Sequence, residues 1–269
     1  MNLINSVVAR WIQEGKDDPE GFWARAAEQL PWFRKWERTF EWDFPSFRWF
    51  VGAQTNLCYN ALDHHVSHGW GGHTALVYVN ERGERRLFTY AEMLFEVKRL
   101  AAALRGMGLR KGDRLTIYMP TCPEAIMLML ATVRIGAIHS VVFAGFGAKA
   151  LADRIEASGS RLVFTTDVTY RKGKSVRLKE IVDEAVENAG DSVEHVVVLR
   201  RESEAAPLRK QRDLTWDEFI GRSAGQSSDY VPMEANEPAF ILATSGTTAK
   251  PKLAVHTHGG YQVHIVSMG

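Results

Sequence analysis

The chain has 269 residues, 45% of them hydrophobic, and its 33 basic and 32 acidic side chains leave a formal charge of +1. This balance argues against a protein that binds nucleic acid through a basic face, so we expect no nucleic-acid partner. No segment approaches the ~20 apolar residues that span a bilayer, and the first residues lack the pattern of a signal peptide, so we expect no membrane partner.

The first 66 residues predict an aromatic-rich N-terminal arm. A short helical pattern covers Pro19–Leu30, and the rest of the arm shows little periodicity. Such a segment is expected to be extended, with its aromatic side chains buried against something larger. Its tryptophans are Trp11, Trp23, Trp32, Trp36, Trp42 and Trp49.

Regular alternation begins after residue 74. Ala75–Val79 and Arg86–Phe88 predict a β-hairpin. Thr89 and Glu92 then form a capping box, which predicts the start of the helix Tyr90–Arg105.

Strands and helices continue to alternate to residue 243. The predicted strands are Arg114–Tyr118, Ile138–Phe143, Arg161–Thr165, His195–Leu199 and Ala239–Ala243. The predicted helices are Pro123–Arg134, Lys149–Ala157 and Val176–Asn188. Arg200–Asp213 predicts a surface connector and Gly225–Asn236 an irregular link. This order indicates an α/β fold with a mostly parallel sheet flanked by helices, whose ligands lie at the carboxyl ends of the strands.

The segment after Ala239–Ala243 combines hydroxyl side chains, a glycine and two lysines. At a strand end it would offer a polyphosphate backbone amides, hydroxyls and positive charge together. A Walker A loop needs a second glycine where Pro251 stands, so that interpretation fails on spacing. We predict that the phosphate-binding residues are Thr244, Ser245, Gly246, Thr247, Thr248 and Lys252.

A second cationic segment is Tyr170-Arg-Lys-Gly-Lys174, beyond the strand Arg161–Thr165. Cations around a glycine on a strand-end loop suit a phosphorylated ligand. A solvated basic turn without a ligand is the alternative, and the residues alone leave it open.

The cysteines and histidines predict no metal site. Cys58 and Cys122 make no disulfide framework and lack zinc-ligand spacing, so we interpret them as buried hydrophobes in a reducing, cytoplasmic location. His64, His65, His68 and His73 are close in sequence, but no cysteine or carboxylate pair completes a metal site among them.

The phosphate segment resembles the loop [ST]-S-G-[ST]-T-G-x-P-K of the AMP-forming adenylating superfamily, with Ala249 where that pattern has glycine. The similarity to short-chain acyl-CoA synthetases of the acetyl- and propionyl-CoA type covers nearly the whole chain from Phe22. The segments that carry it are Asn56–Asp63, Val141–Phe146, His195–Val198 and His256–Tyr261.

The resemblance implies a ligase that activates acetate or propionate with ATP as an acyl-adenylate and then transfers the acyl group to coenzyme A (CoA). ATP, Mg²⁺ and CoA would be its co-substrates, and Arg171, Lys174 and Gly145 would contact CoA. Residues 1–66 would be the N-terminal extension and 67–269 the first part of the AMP-binding domain. The family's catalytic residues lie further downstream, so we expect an incomplete adenylating fold that is inactive alone.

Two other functions stay open. One is another adenylate-forming enzyme, against which the tryptophan-rich arm and His256–Tyr261 count. The other is a non-catalytic module that binds CoA or nucleotide, which would bind without exchange chemistry.

Overall fold

The computed structural model describes residues 5–201, 206–244 and 252–268. Its helices are α1 (Ser6–Asp17), α2 (Pro19–Ala27), α3 (Tyr90–Gly106), α4 (Pro123–Arg134), α5 (Ala148–Ser158), α6 (Leu178–Asn188), α7 (Trp216–Gly221) and α8 (His258–Met268). None of these described helices is long and apolar enough to cross a membrane.

The strands fall into one large sheet and several two-stranded pairs. They are β1 (Arg38–Asp43), β2 (Ser46–Val51), β3 (Gln54–Thr55), β4 (Thr74–Val79), β5 (Arg85–Thr89), β6 (Arg114–Tyr118), β7 (Ile138–Val141), β8 (Leu162–Thr166), β9 (Val168–Arg171), β10 (Lys174–Arg177), β11 (His195–Leu199), β12 (Asp213–Thr215), β13 (Met233–Glu234), β14 (Pro238–Thr244) and β15 (Lys252–Thr257). Two π-helical turns cover Tyr59–Asp63 and Val66–Trp70.

The large sheet has seven strands in the order β12-β11-β8-β6-β7-β14-β15. Neighbours pair in parallel, except that β15 runs antiparallel to β14. The predicted α/β fold with a mostly parallel sheet is confirmed. The returning strand β15 is not predicted from the sequence.

Side-chain alternation along the strands divides the core into two layers. On β6, Leu115 and Ile117 join the apolar cluster that includes buried residues of α3 and α4. Tyr118, on the opposite face, joins the cluster that includes residues of α5 and α6. The helices therefore cover both faces of the sheet.

The local signals of several elements are confirmed. Thr89 and Glu92 form the predicted capping box of α3. Helix α4 has the predicted bounds, with Pro123 in its first turn. The hairpin β4–β5 also forms as predicted, with antiparallel pairing.

The predicted start of the helix Val176–Asn188 is wrong. Val176 and Arg177 belong to β10, which pairs with β9, and α6 begins at Leu178. The short hairpin forms because Lys172 and Gly173 have φ values of 51° and 75°, as a tight two-residue turn requires. Pairing with β9 thus overrides the helical periodicity at these two residues.

The predicted connector and link also contain short strands. Arg200–Asp213 ends in β12, where the Asp213 carboxylate lies 2.7 Å from the buried Lys179 ammonium. The link Gly225–Asn236 contains β13, which pairs with β3 of the arm.

The prediction of an extended arm is wrong. The arm folds into α1, α2 and the hairpin β1–β2. Trp23, Trp32, Trp36 and Trp49 pack around a small apolar cluster that includes Val263 of α8. Trp11 and Trp42 are 42% and 63% exposed. The expected burial of the aromatic side chains is therefore right for only part of the set.

A buried polar joint attaches the arm to the sheet domain. The Asn56 side-chain amide donates to the carbonyls of Val133 and Arg134 at 3.0 and 3.1 Å and to that of Val231 at 2.9 Å. The Arg134 guanidinium is 1% exposed and donates to both oxygens of Asp63 at 2.6 and 3.0 Å. These contacts satisfy backbone groups and charges that would otherwise be buried without partners.

Candidate functional site

A cleft of about 570 Å³ lies at the carboxyl ends of the central strands. Its walls include Ile117 of β6, Val141 of β7 and Leu242 of β14. Gly145 and Arg171, two residues implicated in CoA binding by resemblance, also line it. The fold therefore places these two residues near β14, the strand that precedes the phosphate segment. This is the edge of the sheet at which α/β proteins bind ligands.

Gly145 lies in the loop between β7 and α5. A Cβ at this position would lie 2.3 Å from Cε1 of Phe143, so only glycine leaves room for that ring as it stands. Phe143 is 64% exposed and also lines the cleft. The Tyr118 hydroxyl donates to the Phe146 carbonyl at 2.5 Å and fixes the other end of the loop. This loop presents an apolar surface to the cleft.

Arg171 and Lys174 are opposite each other in the hairpin β9–β10, which we call the cationic hairpin. Both are exposed, as are Lys172 and Gly173 in the turn between them. Side chains of directly paired residues lie on one face of a hairpin, so the turn concentrates positive charge. Lys174 thus stands beside Arg171, although it is not part of the cleft wall.

A buried carboxylate anchors the base of this hairpin. Asp167 is 1% exposed, and its Oδ1 accepts from the backbone N–H groups of Val168 and Arg201, both at 2.8 Å. The first residue of β9 is therefore tied to the end of β11. Sequence reasoning missed Asp167, because nothing in the local pattern distinguishes it from a surface carboxylate.

The phosphate segment is described only at its two ends. Thr244 and Lys252 are register partners in β14 and β15, and the Thr244 hydroxyl donates to the Lys252 carbonyl at 3.3 Å. Both residues are exposed. The other predicted phosphate ligands, Ser245, Gly246, Thr247 and Thr248, lie outside the described residues, as does Ala249.

The histidines after this segment support the fold. The ring of His256 stacks on Phe240, with centroids 4.6 Å apart. His258 is fully buried, and its Nδ1 accepts from the Leu57 backbone N–H at 3.2 Å. Burial lowers the pKa of His258 to about 4 and that of His139 to about 3, so both are neutral near pH 7. His258 therefore joins α8 to the arm.

Both cysteines are buried thiols. Cys58 is 0% and Cys122 4% exposed, and burial raises the pKa of each to about 12. Within residues 5–201, 206–244 and 252–268, no three His, Cys, Asp or Glu side chains are arranged to hold a metal ion.

Two family models match the sequence. The model described as AMP-binding enzyme matches residues 63–268, and the model described as Acetyl-coenzyme A synthetase N-terminus matches residues 8–61. The first match includes the cleft, the cationic hairpin and the phosphate segment.

Several curated proteins are similar over most of this chain. The acetyl-coenzyme A synthetase of Deinococcus radiodurans is 45% identical over 257 residues, 94% of this chain and 39% of that protein. The 3-hydroxypropionyl-coenzyme A synthetase of Sulfurisphaera tokodaii is 46% identical over 92% of this chain and 38% of that protein.

A solved structure has the same fold. The acetoacetyl-CoA synthetase from Streptomyces lividans matches with a TM-score of 0.83 and 28% identity, over 94% of this chain and 38% of that one. The chain thus spans only 39% and 38% of the length of the two curated relatives named above.

Proposed function

Because this chain belongs to the AMP-binding enzyme family, we propose that it supplies the nucleotide-phosphate and CoA contacts of an AMP-forming acid–CoA ligase. Acetate or propionate is the proposed carboxylate. The observation that carries the proposal is the cleft, which unites Gly145, Arg171 and β14 at the carboxyl edge of the sheet. Homology over residues 8–61 to the N-terminus of acetyl-coenzyme A synthetases supports a short-chain acid as substrate.

The proposed reaction has two steps. A carboxylate oxygen attacks the α-phosphorus of ATP, the bond to pyrophosphate breaks, and an acyl-adenylate forms. The sulfur of CoA then attacks the acyl carbon, AMP leaves and the thiol proton passes to solvent. Residues 244–252 would hold the phosphates that depart in the first step, which is positioning and electrostatic work.

The cationic hairpin suits the nucleotide end of CoA. Arg171 and Lys174 lie side by side at an exposed turn, where two cations can meet one phosphate group. The apolar loop around Gly145 suits the pantetheine chain, which must reach from the hairpin into the cleft. Mg²⁺ would enter with the phosphates of ATP, and no described residue is assigned to it.

Binding of CoA to the purified chain tests the hairpin. We expect the double variant Arg171→Ala/Lys174→Ala to bind CoA about tenfold more weakly in calorimetry, because two charged contacts are lost. The matched control is Arg10→Ala/Lys35→Ala, which removes two cations of the arm whose side chains are each 66% exposed. Equal weakening by both pairs, or no binding by the unaltered chain, would refute the CoA assignment.

Exchange of labelled pyrophosphate into ATP, with acetate or propionate present, tests whether these residues form a complete adenylation site. We expect the 269 residues alone to catalyse no exchange. Robust exchange by the isolated chain would show that it holds a complete adenylation site.

A further inference from the structure

The turn between β4 and β5, residues 80–84, contacts the cationic hairpin β9–β10. It is organised by Asn80, whose Oδ1 accepts from the backbone N–H groups of Arg82 and Glu84 at 3.0 and 2.8 Å. Gly83 has a φ of 81°, which the tight turn requires. Glu81 and Arg82 are thereby held in defined directions on one side of Tyr170.

Two guanidinium groups lie against the Tyr170 ring. Arg82 Cζ is 4.2 Å from its centroid, and a guanidinium nitrogen of Arg82 donates to the phenol oxygen. Arg201 Cζ is 5.5 Å from the same centroid. Planar cations over an aromatic face are attractive and directional, so the ring has a restricted orientation. Tyr170 immediately precedes Arg171, the residue that reaches the cleft.

Glu81 completes the contact. Its carboxylate accepts from Arg201 Nη1 at 3.0 Å, and this bond is the main cause that holds the pKa of Glu81 below its usual value. The Tyr170 backbone N–H lowers the same pKa to a smaller extent. In the hairpin register Tyr170 is one pair further from the turn than Arg171, so its N–H points away from β10.

The hairpin depends on such contacts for its direction. β9 and β10 form a two-stranded sheet separate from the seven-stranded one, so the main ladder does not orient them. An isolated two-stranded hairpin is marginally stable in water. Asp167 holds its base, and the contacts of Tyr170 lie next to its charged tip.

We propose that Glu81 and Arg82 are positioning residues, which fix the direction of the cationic hairpin for the phosphate groups of its ligand. The ligand part of this inference rests on the proposed CoA function. Arg82 acts through Tyr170 rather than on the ligand, and Glu81 acts through Arg201, whose guanidinium lies against the Tyr170 ring. Flexible hairpin cations would bind the same phosphates more weakly, because their ordering costs entropy.

Arg82→Met and Arg85→Met form a matched pair, since each removes one cation from the hairpin β4–β5. Arg85 is exposed. We expect Arg82→Met to raise the Kd for CoA about threefold to tenfold and Arg85→Met to change it less than about twofold. The heteronuclear ¹⁵N NOE of Lys172 and Gly173 should fall only in Arg82→Met, while the midpoint of thermal unfolding stays the same in both.

Three outcomes would overturn the inference. Equal Kd changes in the pair would mean that only net charge matters. Weaker binding in Arg82→Met with an unchanged NOE would mean that Arg82 contacts the ligand directly. An affinity for CoA in Arg82→Lys equal to that of the unaltered chain would also count against the inference, because lysine keeps the charge but lacks the planar group.

Hydrogen exchange tests the positioning without any ligand. We expect the paired amides of β9 and β10 to exchange about tenfold faster in Glu81→Ala than in Asp191→Ala, which removes an exposed carboxylate elsewhere. Equal rates would refute the inference. Failure of the unaltered chain to bind CoA would instead refute the proposed function, and the exchange rates would still decide the role of Glu81.

Discussion

Two groups of cations in this chain have opposite environments. Arg134, in the joint between arm and sheet, is 1% exposed and bonded to both oxygens of Asp63. Arg171 and Lys174, at the tip of the cationic hairpin, are exposed beside a cleft. A buried, paired charge is costly to disturb but has no capacity left for a ligand. An exposed cation adds little to stability and keeps its donors available.

The largest expected effect is on the buried joint. Arg134→Met should lower the free energy of unfolding by about 3–5 kcal/mol, because the Asp63 carboxylate, whose side chain is only 13% exposed, loses its partner. Urea unfolding measures this loss. The double variant Arg134→Met/Asp63→Leu should recover much of it, and a double variant as unstable as the single one would contradict the argument.

The next effect concerns the amide of the same joint. Asn56→Leu should lower the free energy of unfolding by about 2 kcal/mol or more, since three carbonyls lose their donor. Asn188→Leu, at an exposed position on α6, should change it by about 0.5 kcal/mol or less. Similar losses in the two variants would mean that burial of the bonds is unimportant.

Acid should weaken the buried region before it affects the hairpin. His139 and His258 have pKa values of about 3 and 4 when folded and 6.5 ordinarily, so their stabilisation is complete above pH 6.5 and falls as the pH drops toward 4. At pH 5 the loss should be on the order of 2 kcal/mol for each histidine.

Denaturant unfolding at pH 8 and pH 5 measures this dependence. His139→Phe should remove its share of the loss, because a group that cannot titrate contributes nothing. His73→Gln, at an exposed position, should leave the dependence as it is. An unaltered pH dependence in His139→Phe would contradict the assigned burial effect.

The smallest effect on stability is expected in the cleft. Gly145→Ala should change the free energy of unfolding by about 0.5 kcal/mol or less, since the exposed Phe143 ring can turn away from the new methyl group. Affinity for CoA should nevertheless fall severalfold, because that ring lines the cleft. Gly147→Ala, where a Cβ meets nothing within 4 Å, is the control for both measurements. Matching affinities in the two variants would remove Gly145 from the site.

The elements predicted best are those with complete local signals. The capping box of α3, Pro123 at the start of α4 and the apolar strand His195–Leu199 are found where the sequence predicts them. Errors occur where tertiary pairing decides the local structure. Val176 follows a helical pattern yet pairs with β9, and β15 exists because β14 offers it an edge.

The site shows the same division. The motif around residues 244–252 and the family follow from residue types and their order, because the spacing of a motif is a property of consecutive residues. The roles of those residues stay a prediction, as do the boundary at residue 66 and the CoA contacts.

The sequence by itself determined the fold class, the family and the segments that carry chemistry, since periodicity and motif spacing are properties of consecutive residues. Only the tertiary structure decided which polar groups meet. Arg82 bonds to Tyr170 across 88 residues and Arg201 to Glu81 across 120. No local pattern encodes such contacts, because they arise when packing of the sheet brings distant turns together.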